Sequence, residues 1–155
     1  MHTKSGLRIA MVAALVMVVC GVLVSGIYAR AGSDNGACSN QTLKGDYGFA
    51  IEGLILAAPG VTLPLRGVAM THFDGKGHLS QVDHVVANGQ PPAEEWTFGS
   101  GPYHVNPDCT GTAQINIPGS PFSPVILHLV VVRQGKEIRT VVEGNASTSV
   151  GIKVD

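Results

Sequence analysis

Tyr103-His104-Val105-Asn106-Pro107-Asp108-Cys109-Thr110-Gly111-Thr112-Ala113 reads as strand, tight turn, strand, with a cysteine set in the turn. Asn106-Pro107-Asp108 are turn formers, and apolar side chains alternate on either side of them. Working outward, the same grammar recurs. Residues 46–55 place Tyr47, Phe49 and Ile51 on one face. Residues 64–73 and 78–87 flank Asp74-Gly75-Lys76-Gly77, a hairpin loop. A fourth strand is expected over 94–99, ended by Ser100-Gly101-Pro102, and Tyr103 to Val105 then opens the hairpin.

Further on, residues 112–117 alternate Ala113, Ile115 and Ile117 against Thr112, Gln114 and Asn116. Residues 125–133 pair back onto 137–143 across Gln134-Gly135, and 147–154 make a last short strand. With Arg133 opposite Lys136, Leu127, Leu129 and Val131 share a face with Ile138, Thr140 and Val142, the expected core face. No stretch after residue 45 carries a helical period. The chain therefore predicts an all-β fold, a small antiparallel barrel built as a meander of about eight strands, lipocalin-like or cyclase-like. A β-sandwich is the alternative.

The first 31 residues stand apart. Lys4 and Arg8 precede the uncharged, apolar run 9–24, and Ala29-Arg30-Ala31 has small residues where a signal peptidase cuts. This is the pattern of a secretory signal peptide over 1–31, followed by a loose tail over 32–37 and one domain over 38–155. Two alternatives stay open. The leader is retained as a membrane anchor, although its apolar run is short of the ~20 residues that span a bilayer. Or Cys20 is acylated, although Val19 before it is not small. An exported protein of this kind belongs to the periplasm or the extracellular space.

Cleavage after Ala31 leaves 124 residues (155 − 31), enough for one domain, with 7 basic and 11 acidic side chains, a net charge of −4. The basic residues are scattered, so no phosphate-neutralising surface exists and nucleic acid is excluded as a partner. Any membrane contact would run through an uncleaved leader. Cys20 leaves with the leader. Cys38 and Cys109 remain, and an even count in an exported chain favours a disulfide. Closing a loop of about 72 residues would contribute roughly 4 kcal/mol in the chain-entropy treatment. Two separate buried thiols are the alternative.

Cys38-Ser39-Asn40-Gln41-Thr42-Leu43-Lys44-Gly45-Asp46-Tyr47-Gly48-Phe49, Phe73-Asp74-Gly75-Lys76-Gly77 and the Tyr103–Thr112 segment resemble, in order and spacing, a family of small exported bacterial proteins. Its elements are C-S-N-x-T-L-K-G-x-Y-G-F, F-D-G-x-G and Y-x-V-x-x-D-C-T-G-T. The resemblance implies export and a β-rich domain, and it supplies no catalytic residues to carry over. Gly45-Asp46-Tyr47 is also similar to the G-x-W that opens lipocalins, with Tyr in place of Trp. That likeness is one of architecture.

Candidate chemistry is thin. Among the histidines, His72, His78 and His84 recur every six residues. With Phe73 opposite His78, His78 and His84 would share a face about 20 Å apart and His72 would lie on the other, so they cannot hold one metal ion. No metal site and no cofactor motif is expected. Glu52, Asp83 and Glu143 stand on strands of undetermined facing; an inward one beside Tyr103 or His128 would suit acid–base work. Ser100 lacks the spacing of a nucleophile elbow. No catalytic residue is assigned. Phe49, Trp96 and Phe98, if inward, would line a ligand cavity; an interior filled by side chains, as small barrels have, is the favoured reading. Three functions are carried forward. The first is a non-enzymatic binding or interaction module for a small apolar ligand or envelope component. The second is an isomerase or cyclase of barrel type. The third is an envelope structural protein without a ligand site.

Overall fold

Alternation of apolar and polar residues along eight segments folds the chain into eight antiparallel strands, as seen in a computed structural model that describes residues 37–155. The leader expected over 1–31 and most of the expected tail lie outside the described residues. The strands are β1 (Gly45–Ala58), β2 (Val61–Phe73), β3 (His78–Ala87), β4 (Thr97–Val105), β5 (Thr110–Ile115), β6 (Val125–Val132), β7 (Glu137–Val142) and β8 (Ala146–Lys153). Each pairs with its sequence neighbours, and β8 returns to β1, so the sheet closes as a barrel. Closure leaves no strand with an unpaired edge.

Parity decides what faces the interior. Tyr47, Phe49 and Ile51 point in from β1, and Leu129 and Val131 on β6 meet Thr140 and Ile138 on β7 in the register expected from the sequence. Two local features depart from expectation. Asp74 Oδ1 accepts N–H groups from Lys76, Gly77 and His78 at 2.6, 3.0 and 3.0 Å, which draws His78 into the turn. Phe73 consequently pairs with Leu79, not His78. That one-residue change flips β3 relative to the expected pairing, and His72, His78 and His84 all stand on the outer wall.

The second departure is β4. Ser100-Gly101-Pro102 does not break it, and the two segments expected around that site are one strand. Pairing with β5 lapses between Ser100↔Asn116 and Tyr103↔Ala113, and the Pro102 nitrogen faces this gap, so its missing N–H leaves no bond unmade. Gly101 lies against the Gln114 carbonyl, where any Cβ would overlap. Merging the two segments is what brings the strand number to eight.

One end of the barrel is sealed. Residues Asn40–Leu43 form a 3-10 turn, entered through Ser39, whose N–H donates to Thr42 Oγ1 at 3.0 Å. The turn drops Leu43, fully buried, into the barrel base. There Phe73 meets Tyr47 and Tyr103 edge-on, at 5.4 and 4.9 Å between ring centres. Tyr103 donates to the Asn40 carbonyl and accepts from Gly75 N–H, both at 3.0 Å. Tyr47 donates to the Gly135 carbonyl. Burial, with Tyr103 nearby, pushes the Tyr47 hydroxyl up to about 12, so it remains a donor at every working pH. Gly135, at φ 84°, sits against Thr42 with no room for a side chain. A disulfide joins Cys38 to Cys109 and fastens the turn to the β4–β5 loop, beside a Cys38 N–H to Pro107 carbonyl bond of 3.2 Å. The two thiols are thus paired, not separately buried.

Candidate functional site: a one-mouthed cavity

Above this base the barrel is hollow. A cavity of about 590 Å³ occupies its interior, within the ~300–1,000 Å³ span of small-molecule pockets. Phe73, Leu79 and Ile138 make its floor, and its walls are mostly apolar, with Phe49, Ile51, Val85, Ile115, Leu127 and Val142. The mouth lies at the end opposite the plug. Pro92 and Glu94 of the β3–β4 loop, Pro118 and Phe122 of the β5–β6 loop, and Asn145 of the β7–β8 turn frame it. Strand alternation builds this lining, since alternate residues of each strand face the interior and most of those are apolar.

Two polar patches interrupt the apolar wall. On β2 and β3, Thr71 Oγ1 donates to Gln81 Oε1, and Gln81 Nε2 donates to Asp83 Oδ2, each at 2.9 Å. Asp83 is only 6 % exposed. On β7 and β8, Thr140 and Ser149 share a hydrogen bond of 2.7 Å beside buried Ser147. Burial pushes the Asp83 carboxyl above its ordinary 3.8, against the opposing pull of the Gln81 bond and of His84 next to it. Between the unfolded and the raised folded value the folded protein holds more protons, so stability falls as pH rises through that window. Asp83→Asn is expected to raise the melting temperature at pH 7 and to leave it unchanged near pH 3. Parallel thermal melts at the two pH values check this; an equal shift at both would remove ionisation as the cause.

Of the three aromatics expected to line a cavity, Phe49 does so. Trp96 and Phe98 stand outside, 52 % and 54 % exposed. Tyr103 and Val105 face the core from β4, which forces even-numbered Phe98 outward, beside Val82 and Met70 on the neighbouring strands. Trp96 precedes β4 and packs edge-on against His84, whose Nδ1 lies 2.7 Å from the Glu95 carbonyl oxygen.

The remaining candidates are dispersed. Glu52 lies outside, 3.9 Å from Arg66, and Glu143 pairs with outward His128 at 3.3 Å. His104 is exposed on β4, and Tyr103 is committed to the base. Asp83 is therefore brought together with neither Tyr103 nor His128. Thr71 and Gln81 were not singled out in the sequence; their signal is the inward phase of β2 and β3, available once the Asp74 turn is counted correctly. Among the described residues no group of three or more His, Cys, Asp or Glu side chains is placed to hold a metal ion. Comparison with protein-family models, with curated proteins and with solved structures returns no match to this chain.

Proposed function

We propose that this protein is an exported, non-enzymatic barrel that carries a small apolar molecule in its interior. The observation behind this reading is the apolar cavity of about 590 Å³, closed at the base and open at one mouth. An empty apolar space of this size is costly to maintain in a folded interior, because its lining forfeits contacts that a packed core would make. The disulfide is compatible with an oxidising compartment. The leader pattern and the resemblance to small exported bacterial proteins support the periplasm or extracellular space. The isomerase or cyclase reading has less support, since the buried carboxylate of Asp83 is hydrogen-bonded to an amide and the other lining carboxylate, Glu94, stands exposed at the mouth.

The test is saturable uptake of a neutral fluorescent probe, N-phenyl-1-naphthylamine, by protein with its disulfide intact. One-to-one binding with micromolar affinity and a blue-shifted emission is the expected result. Leu127→Trp, which places an indole in the cavity, should weaken binding at least tenfold while the protein still melts cooperatively. Unsaturable binding, or binding indifferent to that substitution, would remove the carrier reading and leave a structural role.

A further inference from the structure

The cavity wall has a chemical polarity that its apolar character conceals. Asp83 points into it from the middle of β3, four residues from Leu79 at the floor and four from Ala87 at the rim, roughly 13 Å along the strand either way. Gln81 occupies one carboxylate oxygen, Oδ2. Among the described residues nothing hydrogen-bonds the other, Oδ1, and no buried side-chain oxygen or nitrogen is walled off without a partner, so Oδ1 opens onto the cavity space. Gln81 is itself held by Thr71 and cannot turn away to leave Asp83 in a different geometry.

The rest of the lining sharpens this. It includes two carboxylates, Asp83 and Glu94 near the mouth, and no lysine, arginine or histidine. A carboxylate in an apolar enclosure without a cation is a poor interior group unless something arrives to meet it. The Thr140–Ser149 pair across the cavity is self-satisfied and neutral, so it discriminates little by charge.

We propose that the barrel selects apolar molecules whose head group donates hydrogen bonds, an amine above an alcohol, that Asp83 is the anchor for that head, and that carboxylic acids of the same chain length are rejected. This rests on the cavity being the ligand site. An ammonium supplies both the missing donor and the missing counter-charge, whereas a hydroxyl supplies the donor alone. A fatty-acid carboxylate would face Asp83 and Glu94 with no cation to neutralise it. Because the anchor sits halfway down the wall, the tail runs from there toward Phe73 and Leu79, and the head remains inside the barrel, away from water at the rim.

The experiment compares octylamine, 1-octanol and octanoic acid by calorimetric titration at pH 7. These share one tail and differ only in the head. The amine is expected to bind tightest, with the acid weaker by on the order of 100-fold, the scale of a charge-assisted hydrogen bond gained against one denied. Asp83→Asn keeps the side-chain shape and should cut amine affinity about tenfold or more while leaving the alcohol within about threefold. Equal affinities for amine and acid, or a preference for the acid, would overturn the selectivity and leave the carrier reading standing. Binding of none of the three would overturn both. The wild-type comparison decides the matter even if the Asp83 variant fails to fold.

Discussion

Replacing Cys38 and Cys109 by alanine is expected to cost about 4 kcal/mol of stability, the entropy released when a loop with a sequence separation of 71 is no longer closed in the unfolded chain. For a domain of this size that is a large part of the ~5–15 kcal/mol that holds the native state. The loss has a spatial consequence. The bond fastens Asn40–Leu43 to the β4–β5 loop, and that turn is the base of the barrel. Backbone amides bonded to the turn, such as Val105 N–H on Asn40 Oδ1 at 2.8 Å, should lose protection from hydrogen exchange first.

Cys109 adds a refinement. Its φ of 68° lies in the left-handed region, which suits glycine, and it takes the position where three-residue hairpin loops ordinarily carry one. Cys38→Ala with Cys109→Gly should therefore recover about 1 kcal/mol relative to the double alanine variant. Chemical denaturation of the three proteins orders them. A double alanine variant as stable as the parent would mean that the plug, not the bond, supplies the constraint.

Phe73→Ala is expected to be nearly as severe, at about 3–5 kcal/mol, near the upper end because two edge-on ring contacts disappear with the side chain. Phe73 differs from other core residues in standing at a boundary: one side packs against Tyr47 and Tyr103 at the plug, the other forms the cavity floor. Its removal deepens the cavity while loosening the seal. In a series of alkyl amines the preferred tail should lengthen in the variant, and urea unfolding should show a lower midpoint with little change in slope. A large loss of stability with an unchanged preference would place the ligand elsewhere than on this floor.

The barrel was legible because its signals are local and redundant. Pro59-Gly60, the F-D-G-x-G loop, Gln134-Gly135 and the alternating runs between them each announce a hairpin, and hairpins in succession close in only a few ways. The β6–β7 register followed from the Gln134-Gly135 turn, which sets Arg133 opposite Lys136 and brings the apolar phases together. What escaped the sequence was parity across two turns. Asp74 folds His78 into its loop through three hydrogen bonds to one oxygen, which hydropathy cannot register. Gly-Ser-Gly-Pro over 99–102 carries every sign of a break, yet β4 runs through it because the proline faces a lapse in pairing and the glycines admit their neighbours. Both turns decide which side chains see the cavity. The Asp74 turn is why Gln81 was not read as inward, and the break expected at 99–102 is why the facing of Phe98 stayed open.

The bond between Cys38 and Cys109 also changes how the molecule would bear tension. Pulled between Cys38 and Asp155, the load passes straight from Cys38 to Cys109 and then along the chain, so only the 46 residues beyond Cys109 (155 − 109) can be drawn out, roughly 150–165 Å. Reduced, all 117 residues beyond Cys38 (155 − 38) can extend, roughly 390–420 Å. Strands β1 to β4, with Asp83 among them, lie within the bypassed loop. The covalent shortcut thus divides the barrel into a half that force can draw out and a half that it cannot extend.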